Sequence, residues 1–106
     1  MNQELAAGRQ AMGVIAPKLA ELTEQVLFGD IWERPGLSKR ERSIATVAAL
    51  VAMNRAEQLP FHLTRAIEHG FSGDELAELV THLAFYAGWP CAASALGALK
   101  ASAIQA

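Results

Sequence analysis

The sequence predicts an all-α fold, a single-domain bundle of about six helices that spans residues 1–106. Apolar residues recur at spacings of three and four, as on one face of a helix. Two Ser-x-x-Glu capping boxes, which begin at Ser38 and Ser72, precede apolar runs. Strand signals are nearly absent, because the chain has neither an alternating Val/Thr/Tyr run nor an Asn-Gly hairpin pair.

Glycines, prolines and caps divide the chain into helices. A short helix comes first, and Pro17 suits the first turn of a second helix that ends at Gly29. Pro60 is tolerable only in a first turn, and Gly70 ends that helix in a left-handed conformation. Pro90 opens the last helix after a break at Gly88. The predicted helices are approximately 2–12, 17–28, 38–53, 56–69, 72–86 and 91–104.

The predicted helix after Ser38 is apolar on nearly every side from Ile44 to Met53. A helix without a polar face is expected to be buried all round, so we place it at the centre of the fold. Asn54 is a plausible C-terminal stop for it.

Composition narrows the classes of function. The chain is 52% hydrophobic with a net charge of -2, so it lacks the basic footprint of a nucleic-acid binder. Its longest apolar run is too short to cross a membrane. So much apolar sequence in a short chain predicts burial between subunits, hence a homo-oligomer. Cys91 is the single cysteine and residues 1–9 lack a signal-peptide pattern, which favours the cytoplasm.

Metal and thiol chemistry find little support in the sequence. The histidines are His62, His69 and His82, and no His-Glu-x-x-His or Cys-x-x-Cys motif occurs, so we expect no metal. Cys91 follows Pro90 in a first helical turn, where a thiolate is favoured. It is either a small buried apolar residue or, alternatively, the reactive group of a single-cysteine redox protein.

Two sets of polar residues are candidates for chemistry. Gln58, His62, Arg65 and His69 share one helical stripe. We expect Arg65 and His69 to face water, whereas His62, flanked by Phe61 and Leu63, is either solvated or functional. His82 and Tyr86 share a face at i and i+4, as half-buried interface residues or as part of a site.

The loop Gly29–Leu37 carries Trp32 and Arg34 between two glycines, and such residues indicate a packed or functional loop. Arg42 lies one turn before the apolar run. It either extends to the surface or binds a carboxylate.

The loop GDIWERPGL resembles the corresponding loop of 4-carboxymuconolactone decarboxylases. Further matches along residues 25–100 are Arg42-Ser43, Asn54-Arg55, Glu57, His62-Leu63, Gly70, Glu75, Tyr86, Gly88 and Pro90. The resemblance implies the helical fold of alkylhydroperoxidase D proteins and assembly as a trimer or hexamer. Arg55 and Gln58 stand where the peroxidase branch has Cys-x-x-Cys, which argues against a peroxidase. His82 stands where a neutral residue such as Gln is expected.

This resemblance implies decarboxylation of a small carboxylated lactone, without a cofactor, in the breakdown of aromatic compounds through 3-oxoadipate. Such a reaction needs a cation for the substrate, a donor for the enolate oxygen and an acid for carbon. Arg42 or Arg34 suits the first role, with Trp32 and Tyr86 as further substrate contacts; His82 or Tyr86 suits the second. His62, oriented by Glu57, suits the third. The alternative is a non-catalytic oligomeric protein that binds small molecules. We place the pocket between the Gly29–Leu37 loop, the start of the apolar helix and the segment Glu57–His62.

Overall fold

A computed structural model describes residues 12–102, and the described chain contains helices and turns without a strand. The predicted all-α, alkylhydroperoxidase D-like class is confirmed. Most of the predicted first helix lies outside the described residues. The backbone separates into two compact units, and the boundary between them in the sequence falls between Lys39 and Arg40.

The first unit contains helix α1, Pro17–Leu22, which continues as a π-helical segment, Thr23–Phe28. Its predicted end at Gly29 is confirmed. Sterics explain why this position is a glycine. A Cβ at Gly29 would lie 2.8 Å from the carbonyl oxygens of Glu24 and Gln25. A short 3₁₀ turn follows over Ile31–Glu33.

The second unit contains four helices: α2, Lys39–Ala52; α3, Leu59–Glu68; α4, Gly73–Ala87; and α5, Trp89–Ala101. Each contributes one apolar stripe to a shared core. The members of the core that are least exposed are Val47, Val51, Leu59, Leu63, Ala66, Leu76 and Val80.

Local signals at the helix ends explain their positions. Asn54 has a φ of 56° and Gly70 a φ of 101°, and both follow a helix in the left-handed conformation. In each case two backbone N–H groups close the last turn. Asn54 N donates to Val51 O and Arg55 N to Leu50 O; likewise, Gly70 N donates to Ile67 O and Phe71 N to Ala66 O. Both predicted stops are therefore confirmed.

The capping box at Ser72 is also confirmed. The Ser72 hydroxyl accepts from Glu75 N at 3.0 Å, and the Glu75 carboxylate accepts from Ser72 N at 2.9 Å. These bonds, chiefly the one from the Ser72 backbone, lower the pKa of Glu75, and Arg40 lowers it further. The box sets the start of α4.

Helix α3 begins at Leu59, later than the predicted Ala56. Pro60 explains the difference, because a proline is accommodated in the first turn and breaks a helix further in. Residues Arg55–Gln58 form a turn instead.

The prediction that α2 is buried all round is wrong. Ser43, Val47 and Val51 are buried, whereas Ala45, Ala49 and Met53 beside them are exposed. The exposed face is largely alanine, which is apolar in a pattern but small enough to remain at a surface.

Candidate functional site

Three short contacts fix how the helices of the second unit run. The Arg40 guanidinium is 3.2 Å from the Glu75 carboxylate, so α2 and α4 begin at the same end. Ser43 meets His69 there, and α3 therefore ends where α2 begins. At the opposite end, the Cys91 thiol lies 3.9 Å from the Ala52 carbonyl oxygen. We call these the Arg40 end and the Cys91 end of the unit.

This arrangement divides the predicted site residues of the second unit. Glu57, His62 and Tyr86 lie toward the Cys91 end, and His82 is one turn before Tyr86 on α4, nearer the middle of the unit. Arg42 is in the first turn of α2, at the Arg40 end. With a rise of about 1.5 Å per residue, Arg42 and His62 are separated by roughly 12 Å along the helix axes. The structure therefore does not bring Arg42 beside His62.

His62 lies at the margin of the buried face of α3. It comes three residues after Leu59 and four before Ala66, both of which are buried, and is itself half-buried. The Phe61 ring stands edge-on to the imidazole, with centroids 4.8 Å apart. Its Nδ1 atom is buried from solvent. The imidazole therefore occupies the partly dry environment expected of a functional histidine.

Burial and a neighbouring cation keep the His62 imidazole neutral. Loss of solvation lowers its pKa from 6.5 to about 4, and the positive charge of Arg65 acts in the same direction. At neutral pH the ring therefore has one N–H that can donate and one nitrogen that can accept a proton. It is not a resident acid in the free chain.

Arg65 is a candidate that the sequence analysis missed. It was expected to face water, but it is half-buried, with its Nε atom shielded from solvent. Its guanidinium carbon is 5.7 Å from the centre of the Phe61 ring. The sequence did contain a signal for this role: Arg65 comes three residues after His62, and residues at that spacing are neighbours on a helix.

His69 also departs from its expected position in water. Its Nδ1 atom is 2.6 Å from the Ser43 hydroxyl, which is almost completely buried. The contact joins α2 and α3 and leaves Ser43 inaccessible to a substrate. We interpret the pair as a structural link.

Glu57 lies in the turn before α3 and is exposed. Among the described residues its carboxylate forms no hydrogen bond or ion pair, so the proposed orientation of His62 by Glu57 stays a prediction. The turn does line a shallow polar depression of about 350 Å³, formed by Asn54, Arg55, Ala56, Glu57 and Gln58. Arg55 places a cation at the Cys91 end.

His82 and Tyr86 form a pair on α4, with ring centroids 5.0 Å apart. Both are exposed, Tyr86 to 80%. The structure brings the two rings together as their spacing predicts. It leaves them open to water in a single chain.

Trp32 and Arg34 belong to the first unit. Trp32 is buried and stacks on Phe28, with ring centroids 6.2 Å apart. Arg34 is exposed and follows the 3₁₀ turn in extended backbone. The packed loop is confirmed for Trp32, and the roles of both residues toward a substrate stay predictions.

Within residues 12–102, no three His, Cys, Asp or Glu side chains come together as metal ligands do. None of the helices in that range has the length and apolar character to cross a membrane.

Comparison with known proteins now decides the family. Residues 17–101 match the profile of the carboxymuconolactone decarboxylase family. The chain belongs to this family. The match includes α1 to α5 and every candidate residue above, and it confirms the resemblance seen in the Gly29–Leu37 loop.

Two characterised relatives are decarboxylases by name. A 4-carboxymuconolactone decarboxylase from Acinetobacter baylyi is 41% identical over 69 residues, covering 65% of this chain and 52% of that protein. A nitrosuccinic acid decarboxylase from Metarhizium robertsii is 33% identical over 76 residues, covering 72% and 53%. The chain thus spans about half the length of each. The two named substrates differ, so family membership does not fix the substrate.

Proposed function

We propose that this chain is a cofactor-independent carboxy-lyase that removes CO2 from a small carboxylated lactone such as 4-carboxymuconolactone. The observation that carries the proposal is the half-buried His62 beside Phe61 and Arg65 in a chain of this family. The names of the two relatives support the reaction class, and the first also supports the substrate.

The reaction begins with binding of an anionic substrate at the Cys91 end. Arg55 is a cation at this end, and Arg65 lies about one turn beyond His62 on α3. We propose that these two arginines take the role predicted for Arg42 and Arg34. A guanidinium binds a carboxylate through two parallel N–H groups and fixes its orientation.

The bond between the ring carbon and the departing carboxylate then breaks. Its electron pair moves through the conjugated double bond to the lactone carbonyl, and CO2 leaves. The developing enolate oxygen needs a hydrogen-bond donor. The neutral imidazole of His62 retains one N–H that can donate this hydrogen bond. The hydroxyl of Tyr86 or the ring of His82 is the alternative donor.

A proton must finally be added to carbon. A bound carboxylate counteracts the charge of Arg65 and raises the pKa of His62 again. We propose that the imidazolium forms in the complex through this carboxylate, against the effect of burial, which is the larger cause of the low pKa. Glu57, at the start of the same segment, is the candidate for positioning it.

The decisive variants are on α3. His62→Gln removes proton transfer and retains an amide donor, so we expect turnover to fall by about 10²- to 10⁴-fold. Arg65→Ala removes the cation that lowers the pKa of His62. It should raise KM and move the acidic limb of the pH–rate profile to higher pH.

Glu68→Gln is the matched control, because Glu68 is exposed on the same helix. It should retain full activity. If His62→Gln keeps the activity of Glu68→Gln while both are folded by circular dichroism, the chemistry lies on another helix. Binding of the lactone with no turnover would instead support the non-catalytic alternative.

We also propose that the chain is cytoplasmic and works as a homo-oligomer, a trimer or hexamer as the family resemblance implies. The exposed apolar side chains of the second unit support self-association.

A further inference from the structure

Phe61 lies on the outward face of α3. It comes two residues after Leu59 and two before Leu63, so its side chain leaves the helix roughly 160° away from both of these buried leucines. In the part of the chain that the structure describes, Phe61 belongs neither to the buried core nor to the half-buried apolar residues packed against that core. Packing of the core therefore does not account for a phenylalanine at this position.

The Phe61 ring is nevertheless half-buried, and its neighbours include two groups of the candidate site. The plane of the His62 imidazole is inclined to it by 69°, with centroids 4.8 Å apart. The guanidinium carbon of Arg65, about one turn further along α3, is 5.7 Å from its centre. One ring therefore interacts with the imidazole and the guanidinium together.

Each of these interactions restricts one polar side chain. The face of an aromatic ring carries partial negative charge, so it attracts a guanidinium that lies within about 6 Å. Neighbouring aromatic rings prefer offset or edge-to-face arrangements, which limits rotation of the imidazole. A free arginine side chain has many rotamers, so an attraction that selects among them determines where its charge lies.

We propose that Phe61 is a positioning residue, whose ring holds the Arg65 guanidinium and the His62 imidazole in one arrangement. Phe61 acts through these two groups and has no chemical step of its own. Its effect on turnover rests on the proposed function. The arrangement itself belongs to the free chain and is measurable without a substrate.

A second phenylalanine–arginine pair provides a contrast at the Arg40 end. The guanidinium carbon of Arg40 is 3.7 Å from the centre of the Phe71 ring. Phe71 also packs against the hydrophobic core, and Arg40 also pairs with Glu75. Packing between helices therefore accounts for this pair, whereas the Phe61 ring interacts with the groups of the candidate site.

The Phe61 ring also supports both causes of the low pKa of His62. Burial is the larger cause, and the ring packs against the imidazole. The positive charge of Arg65 is the second cause, and the ring retains that charge nearby. Loss of the ring weakens both, so the pKa of His62 should rise toward its usual value of 6.5.

NMR titration of the histidines in the full chain tests the arrangement without any substrate. Phe61→Leu removes the ring and retains an apolar side chain, so it should raise the pKa of His62 by at least about 0.5. Phe61→Tyr restores the ring and should return this pKa to within about 0.2 of the wild-type value. His62→Gln identifies the signal, and circular dichroism verifies that every variant is folded at each pH.

Phe71→Leu is the matched control. It removes a half-buried phenylalanine that also holds an arginine, but at the Arg40 end, beyond the end of α3. This variant should therefore leave the pKa of His62 unchanged.

Turnover of 4-carboxymuconolactone tests the consequence for the site. Phe61→Leu should raise KM by about 3-fold or more, because Arg65 loses its fixed position. It should also move the acidic limb of the pH–rate profile to higher pH, as Arg65→Ala does. Since Phe61 acts partly through Arg65, the effects of Phe61→Leu and Arg65→Ala should combine less than additively.

An unchanged pKa of His62 in Phe61→Leu would overturn the proposal. An equal rise in Phe71→Leu would overturn it too, because any loosening of the helices would then have this effect. A Phe61→Tyr variant that behaves like Phe61→Leu, or full additivity with Arg65→Ala, would also contradict it. The expected pKa pattern in a chain without turnover would support the arrangement and contradict only the proposed function.

Discussion

Acidification should destabilise the folded chain through His62. The pKa of this imidazole is lowered from 6.5 to about 4 by burial and by Arg65. Between these two values the unfolded chain carries a proton on His62 and the folded chain does not. The contribution of neutral His62 to the free energy of unfolding is therefore fully present above pH 6.5. It decreases as the pH falls from 6.5 to about 4.

The magnitude follows from the change in pKa. At about 1.4 kcal/mol per pKa unit, the change from 6.5 to about 4 corresponds to at most about 3–4 kcal/mol. His62 is only half-buried, so solvent screening reduces the contribution to about 1–2 kcal/mol. This is a large part of the stability of a small domain.

The assay is urea unfolding followed by circular dichroism at several pH values across the window, at one fixed protein concentration. His62→Gln should flatten the dependence of the unfolding free energy on pH by about 1–2 kcal/mol. Burying the amide of the new glutamine has a cost that does not depend on pH. It shifts the unfolding free energy equally at every pH and leaves the slope against pH unchanged.

His82→Gln is the matched control, because it replaces an exposed histidine in the same way. The reasoning is refuted if His62→Gln changes the slope no more than His82→Gln does.

Four further substitutions test other parts of the account. Leu76→Ala empties a fully buried core position and should cost about 2–5 kcal/mol in urea unfolding. Ser72→Ala removes the hydroxyl of the capping box and should cost about 1 kcal/mol; no change would mean that the cap is dispensable. Gly70→Ala places a Cβ at a φ of 101°, 3.1 Å from Arg40 Nη1, and should lower stability by at least about 1 kcal/mol. Cys91→Ser should leave turnover unchanged, and a lost activity would revive the redox alternative.

Most of the fold could be predicted because its signals are local. Asn54, Gly70 and the Ser72 capping box each act within a few residues, and the structure has each helix end where these signals place it. The start of α3 was the exception: the helix begins at Leu59, where Pro60 falls in the first turn, and not at the predicted Ala56.

The site could be predicted only in part, because its environment comes from packing. The sequence shows that His62 and Phe61 are adjacent, but the low pKa of His62 depends on burial among other helices. The Ser43–His69 contact joins residues far apart in sequence, so nothing local indicated it. The prediction that Arg42 lies close to His62 failed because sequence spacing does not show at which end of a bundle a residue lies.

The central claim is that this chain is a decarboxylase that needs no cofactor. The most direct measurement is CO2 release from 4-carboxymuconolactone by the purified chain with a chelator present and no cofactor added. The account predicts one CO2 for each lactone consumed, and loss of this activity in His62→Gln but not in Glu68→Gln. A folded wild-type chain that releases no CO2 above the uncatalysed rate would contradict it for this substrate.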